Sequence, residues 1–297
     1  MKILACGALL VDQIARVERF PGVDDEVFVP KLEMLPGGSA ANFAVLCSRL
    51  GFEVGFMGKV GKDSFGEFLV RDLIKEGVDI DGILHSDTPT GTVFVAVNPK
   101  GERTMFAYSG AANGLDKTEL SYQYMVKYSH LHMADLENIL FLEFLAKKFH
   151  GTISLGAGAL IAEKGPKAKD LIGNVNILIC SQDEALKLSN RTELKEALTK
   201  LKSLGPELIV VTMGEDGSLA FNGERIYRQD AIRVNVVDTT GAGDSFSAGF
   251  LFKYLQTKDI QQSLLYGNAA AAVTIQEFGA RTALKGIEQI KKVLGEM

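Results

Sequence analysis

The stretch Asp238–Phe250 reads DTTGAGDSFSAGF and packs three glycines, two aspartates and two serines into thirteen residues. Three chemistries compete for it. As a nucleophile site it fails. Ser247 stands where a G-x-S-x-G elbow needs its second glycine, and His85, His130, His132 and His150 all precede Ser245, whereas both the G-D-S and the G-x-S-x-G hydrolase layouts place their histidine after the serine. As a dinucleotide loop it lacks the third glycine of G-x-G-x-x-G and comes late in the chain. The third option is an anion site. IRVNVVD reads as a strand, TTGAG as a tight turn, and DSFSAGFLFKYL as a helix with Phe246, Phe250 and Tyr254 at i, i+4 and i+8. Backbone N–H groups of Gly241, Ala242 and Gly243 would then converge at a helix N-terminus. There they could stabilise a transferring phosphoryl group, with Asp244 in reach of an incoming hydroxyl. On spacing alone, the plainer option of a capped helix with an ordinary first-turn carboxylate is favoured over it.

Bulk composition narrows the class. The chain has 297 residues, 46% hydrophobic and 23% charged, with a net charge of −5 and interspersed signs. No basic patch invites nucleic acid, so a phosphorylated ligand must be held by local features. Cys6, Cys47 and Cys180 are dispersed and form no C-x-x-C pair, which points to buried thiols in a reducing compartment. MKILACG resembles a lipoprotein box, but only five residues precede Cys6, and Asp12 ends the run. No uncharged run reaches the ~18 apolar residues of a membrane helix. A cytoplasmic enzyme with no membrane partner is expected.

The chain alternates strand and helix. KILACGALLV is a continuous apolar run ending at Asp12, the mark of a parallel strand covered on both faces, and HLHMA, GTISLG, NVNILIC and ELIVVTMG repeat it. DSFGEFLVRDLIKEG has the helical period, with Asp63 or Ser64 as N-cap and Gly77 past its end. GSAANFAVLCSRLG ends likewise at Gly51. The expected class is α/β, a doubly wound, mostly parallel sheet. Ala15–Leu35 and Thr90–Tyr108 break the rhythm as β-ribbons, the second turning at NPKG. One domain over residues 1–297 is expected, with a small β-sheet lid from segments of about 13–35 and 88–110. His130 and His132 alternate on a strand without a carboxylate ligand pair, so they read as structural.

A second motif, PGGSAANFAVLCSRLG at Pro36–Gly51, changes the weight of the first. Together with VDTTGAGDSFSAGFL it resembles the two signatures of the ribokinase-like (PfkB) carbohydrate kinases. VGKDSFG at Val60–Gly66 and VTMGEDG at Val211–Gly217 extend that similarity over nearly the whole chain. The resemblance implies transfer of the ATP γ-phosphoryl group to a primary hydroxyl of a sugar or nucleoside, with Mg²⁺. It makes Asp244 the catalytic base and Gly241, Ala242 and Gly243 the anion hole. Asp12, Gly37, Gly38 and Asn42 would bind substrate hydroxyls. Thr212, Gly214, Gly217 and Asn268 would line the nucleotide. Glu184 would serve Mg²⁺ through phosphate or water, and Asp238, Thr240 and Gly279 match positions that hold K⁺ or another monovalent cation in many relatives. A homodimer through the lid ribbons is also implied.

This sequence departs from the pattern at several points. Ser181 stands where N-x-x-E would begin, Leu10 where ribokinases have an asparagine, and Gly156 where many sugar kinases have an aspartate. GARTAL lacks the usual serine or proline near the cation. A sugar kinase is the leading expectation, with a nucleoside kinase as alternative. A non-catalytic sensor has little need of Asp244 and Glu184, and a hydride-transfer enzyme is the remote option.

Overall fold

The computed structural model describes residues 1–134 and 136–296. Its thirteen strands are β1 Lys2–Gly7, β2 Leu10–Arg16, β3 Lys31–Gly37, β4 Glu53–Gly61, β5 Asp79–Ser86, β6 Gly91–Val97, β7 Arg103–Tyr108, β8 His130–Ala134, β9 Thr152–Gly156, β10 Ile177–Ser181, β11 Leu208–Thr212, β12 Ser218–Phe221 and β13 Ile226–Gln229. Nine form the large sheet in the order β13-β12-β11-β10-β9-β8-β1-β4-β5. The run from β11 to β5 is parallel, and only β12 and β13 join it antiparallel. The doubly wound expectation holds.

Both faces of that sheet are covered, which is why its strands read as unbroken apolar runs. Successive residues of β1 alternate between two cores: Ile3 and Ala5 pack on one side, Leu4 and Cys6 on the other. The first core adds Phe43 from the helix Ser39–Arg49 and Phe246 and Phe250 from the helix Ala242–Thr257, all essentially inaccessible to water. Burying each such side chain is worth about 1.5–3 kcal/mol. All three cysteines are free and buried, and burial pushes the Cys6 thiol up to about 12.

The opening apolar run does not stay in one sheet. At Gly7 a Cβ would meet the Ala134 carbonyl and lie 2.6 Å from Ala40 Cβ, so the chain is pressed against its neighbours there. It then leaves the large sheet, and β2 begins a second sheet in the order β3-β2-β6-β7. Asp12 therefore sits on the small sheet, paired with Leu35 and Val93, rather than capping a central strand. The ribbon expectation holds for residues 31–37 and 91–108, whereas 17–30 carry no strand. The NPKG turn closes with Gly101 N–H donating to the Asn98 carbonyl at 2.9 Å.

The strand expected at Ile232–Asp238 is absent. The large sheet ends at β13, and this segment runs on with no strand to pair; its Val237 N–H donates to the Ile275 carbonyl at 2.8 Å. Local expectations fare better. Asp63 caps its helix by accepting from Gly66 N–H at 2.8 Å, and Gly51 and Gly77 follow their helices at positive φ. His130 and His132 are buried and share the Ser154 hydroxyl, each at 2.8 Å. Burial pushes the His130 imidazole down to about 3, so the pair is neutral and structural.

Helices Ala242–Thr257 and Ile260–Thr274 form a close pair, the first of which opens on the glycine turn before Asp244. Gly249 allows the approach: a Cβ there would stand 2.6 Å from both Ala270 Cβ and the Tyr266 carbonyl oxygen. Gly249→Val should therefore cost roughly 1–3 kcal/mol by overpacking. A urea titration followed by circular dichroism checks it; an unchanged midpoint would show that the pair can slide apart freely.

Candidate active site

Parallel strands deliver their C-terminal ends to one edge, with Gly7, Ala134 and Gly156 in register and Ser181 beside Thr212. The strand order reverses at β1, and a crevice opens at such a point. Two helix N-termini face it, Ser39–Arg49 and Ala242–Thr257. Their N-caps are Gly38, at φ 96°, and Gly241, at φ 75°, and neither receives a side-chain cap. A Cβ at Gly241 would lie 2.7 Å from Ala280 Cα, so glycine is required there by both space and conformation. Uncapped first-turn N–H groups are the raw material of an anion site. Of the three expected donors, Ala242 N–H already donates to the Thr239 carbonyl at 3.2 Å. Gly243 borders open space on the side a Cβ would occupy.

Two cavities meet across this turn. One, of about 500 Å³, is lined by Asp12, Gly38, Asn42, Gly241 and Asp244 and roofed by the small sheet. The other, of about 770 Å³, is lined by Thr212, Gly214, Gly217, Ala242, Gly243 and Asn268. Val236 and Thr239 border both. Residues expected to bind an acceptor thus gather on one side, and those expected to hold a nucleotide on the other. Asn268 reaches its cavity while its amide donates to the Gln229 and Asp230 carbonyls at 3.1 and 2.9 Å. Gly37 lies beneath Asp12, where any side chain would overlap the carboxylate.

Asp244 stands in the first turn of its helix, half-buried at the base of the first cavity. Burial pushes its carboxyl up to about 6, against the opposing hydrogen bonds of Asn42 and Ser39 and the charge of Arg281. Asn42 Nδ2 donates to Asp244 Oδ2 at 2.8 Å. Asp12 is likewise pushed up to about 6 by burial, partly countered by Arg281. A carboxylate near 6 is ionised at neutral pH yet basic enough to take a hydroxyl proton as it is released.

The candidate cation residues also come together. Asp238 Oδ1 accepts from Thr240 N–H at 3.0 Å and its hydroxyl at 2.7 Å, and Oδ2 accepts from Gly279 N–H at 2.9 Å. Burial pushes the Asp238 carboxyl upward, but these donors together hold it below the usual carboxylate range. Glu184 lines neither cavity. It completes a capping box in which Ser181 Oγ accepts from Glu184 N–H at 3.3 Å and Glu184 Oε2 accepts from Ser181 N–H at 2.9 Å. Serine in place of asparagine is thus a helix cap. Among the described residues no cluster of three or more His, Cys, Asp or Glu side chains placed to hold a metal ion exists.

Sequence inspection missed three residues. Glu137 lines the first cavity and accepts from the Ser109 hydroxyl at 3.1 Å. Arg103, on β7, donates to the Thr240 and Thr239 hydroxyls at 3.0 and 3.4 Å, tying the small sheet to the phosphoryl turn. Arg281 donates through Nε to Asn42 Oδ1 at 2.7 Å. None belongs to a motif with a spacing signal.

A model of the pfkB family carbohydrate kinases matches residues 1–286. The chain belongs to the pfkB family of carbohydrate kinases. A sugar kinase of Archaeoglobus fulgidus, otherwise uncharacterized, is 31% identical over 244 residues, covering 80% of this chain and 97% of that one. A nucleoside kinase of Methanothermobacter thermautotrophicus is 29% identical over 285 residues, covering 94% of this chain and 91% of its own. The structure of Arabidopsis thaliana ribokinase complexed with ribose and ATP superimposes with a TM-score of 0.87 at 25% identity, over 98% of each chain. This pfkB kinase therefore has the ribokinase fold and is a phosphotransferase with an alcohol acceptor.

Holding Asp244 ionised costs the kinase stability. Its carboxyl titrates near 6 when folded and near 3.8 when free, so above pH 6 the charged form is disfavoured only in the native state. Asp244→Asn should raise the unfolding free energy at about pH 8 by on the order of 1–3 kcal/mol. The gain should shrink as pH falls through 6 and vanish below 3.8, because the native wild type then takes up the proton first. Urea titrations across that range check the sign.

Proposed function

We propose that this kinase transfers the γ-phosphoryl group of ATP to a primary hydroxyl of a sugar that carries no phosphate of its own. The observation that carries this is the meeting of the two cavities at the Gly241–Asp244 turn. The acceptor lies on the Asp12 side and ATP on the Thr212 and Asn268 side. The acceptor oxygen attacks the γ-phosphorus while its proton passes to Asp244, the bond from the γ-phosphorus to the β–γ bridging oxygen breaks, and ADP leaves with that oxygen. Negative charge gathering on the phosphoryl oxygens meets the N–H groups and positive end of the helix Ala242–Thr257. Asp12 accepts hydrogen bonds from acceptor hydroxyls, and the second N–H of Asn42 remains to donate to the acceptor. Mg²⁺ would come with the nucleotide phosphates and neutralise their charge, as suits an ion that prefers few carboxylates and several waters; Glu184, which caps its own helix and lines neither cavity, would act on it only through phosphate or water. A monovalent cation at the Asp238–Thr240–Gly279 junction would have to compete with the donors that Asp238 already accepts from and with Arg103, 3.9 Å from Oδ1.

Charge in the acceptor cavity supports a neutral acceptor. Asp12, Glu137, Asp238 and Asp244 line it, against Arg103, whose guanidinium already serves Thr239 and Thr240. A phosphorylated sugar would enter against that field. A nucleoside is the second reading, favoured by the apolar strip of Val93, Val95 and Val97 on the small sheet, which would face a base. ADP release over a panel of pentoses, hexoses, nucleosides and sugar phosphates separates these. Turnover with nucleosides alone selects the second reading, and turnover with sugar phosphates alone overturns both. With the best acceptor, kcat/KM should fall as pH drops below about 6. Asp244→Asn should cut kcat by about 10²–10⁴-fold.

The small sheet also bears on assembly. Its outer face exposes Leu32, Met34 and Phe106, the last 68% accessible, on the side opposite Asp12 and Val95. An apolar face of this kind invites a second copy of the chain. A homodimer through the small sheets is therefore part of the proposal, and light scattering should show it reverting to monomer on Phe106→Asp. A monomeric wild type would refute it.

A further inference from the structure

Behind the acceptor cavity lies a charge that the phosphoryl chemistry above does not use. Arg281 is only 8% exposed, and it comes from the loop that also supplies Gly279. Its guanidinium reaches three elements at once. Nε donates to Asn42 Oδ1 at 2.7 Å, one terminal nitrogen pairs with Asp72, and the other donates to the Gly37 carbonyl at 3.5 Å. Arg49 in turn holds the Arg281 carbonyl and pairs with Glu76 through two bonds of 2.8 and 2.7 Å. A buried guanidinium with that many partners has one orientation available.

Donor chemistry then decides what Asn42 does. An arginine can only donate, so the atom of Asn42 that faces it must be the amide oxygen. Nδ2 is left pointing at Asp244 Oδ2, which with the Ser39 hydrogen bond fixes the plane in which the carboxylate meets the cavity. Free of Arg281, the Asn42 amide could turn over and set its oxygen against the carboxylate, which repels it. The relay Asp72–Arg281–Asn42–Asp244 crosses three helices and one loop that are distant in sequence.

We propose that Arg281 is a positioning residue for the catalytic base, fixing the Asn42 amide so that the Asp244 carboxylate is held facing the acceptor hydroxyl. This rests on Asp244 being the base. Charged groups facing Asp244 are Arg281, Glu184 and Asp12, and those facing Arg281 are Asp72, Arg49, Asp12 and Asp244. Arg281 is the cation that reaches both Asp12 and Asp244, so its charge also favours their ionised forms.

Two substitutions separate geometry from charge. R281Q should lower kcat by about 10²-fold, the usual cost of a misplaced reacting group, with KM for ATP unchanged. It should also move the acid limb of kcat/KM to higher pH, because the two aspartates lose a favourable neighbour. R281K keeps the charge but not the planar fork, so kcat should fall while the acid limb stays near its wild-type position. In a cycle with Asn42→Leu, R281Q should add nothing to the loss caused by Asn42→Leu alone, because both break one relay. Wild-type kcat in folded R281Q, or fully additive losses in the cycle, would falsify the proposal. If circular dichroism shows R281Q unfolded, R281K decides, and wild-type kcat there overturns it. Asp244→Asn run in parallel keeps the two ideas apart. Full turnover in that variant removes Asp244 as base, whereas its loss alongside an active R281Q removes only the role of Arg281.

Discussion

On the proposed reaction, a helix N-terminus that receives the negative charge of the transferring group cannot be capped by its own side chain. That constraint governs the site. Elsewhere this chain caps freely: Asp63, Asn138, Ser181 and Asp259 each accept from the first turn of the helix that follows. At Gly38 and Gly241 there is no side chain to do so, and both residues line the first cavity. Leaving those donors bare costs stability, and the close packing of the helices Ala242–Thr257 and Ile260–Thr274 beneath them offsets it. Phe246 stacks on Phe250 and Phe250 on Tyr254, with ring centroids 6.1 and 5.5 Å apart, so the helix is anchored along its length rather than at its cap.

Asp244 adds a second tension. A carboxylate beside helix N–H groups would ordinarily be acidified, and an acidified carboxylate is a poor base. Withdrawal from water acts the other way and prevails, raising Asp244 to about 6. Asn42 and Arg281 then hold the charge in place. The same balance appears at Asp12, so the acceptor cavity carries two carboxylates that remain responsive near neutral pH.

Ser245, the residue that first draws attention in the phosphoryl motif, has a different duty. It is inaccessible to solvent, and its hydroxyl accepts from Thr274 at 2.7 Å, pinning the two helices together. The nucleophile in this kinase is the acceptor's own hydroxyl.

Much of the chain was legible from local pattern. Unbroken apolar runs announced a sheet covered on both faces, the 3.6-residue period announced Phe246, Phe250 and Tyr254, and Asp63, Gly51 and Gly77 marked helix ends. Each depends on neighbours within a turn or two, where sequence distance and spatial distance agree. The glycine turn before Asp244 was legible for the same reason. What tertiary structure alone decided lies between segments far apart. Asn42 meets Asp244 across 202 positions and Arg281 meets Asn42 across 239, so no spacing rule could couple them. Glu137 and Arg103 reach the cavity only because the large and small sheets bring a loop and a strand end together at one edge. The opening apolar run divides between two sheets because Gly7 is crowded by β8 and the helix Ser39–Arg49, a contact between distant segments. Hydrophobic pattern determines which residues must be buried; which polar groups then face one another is decided by how the buried faces pack.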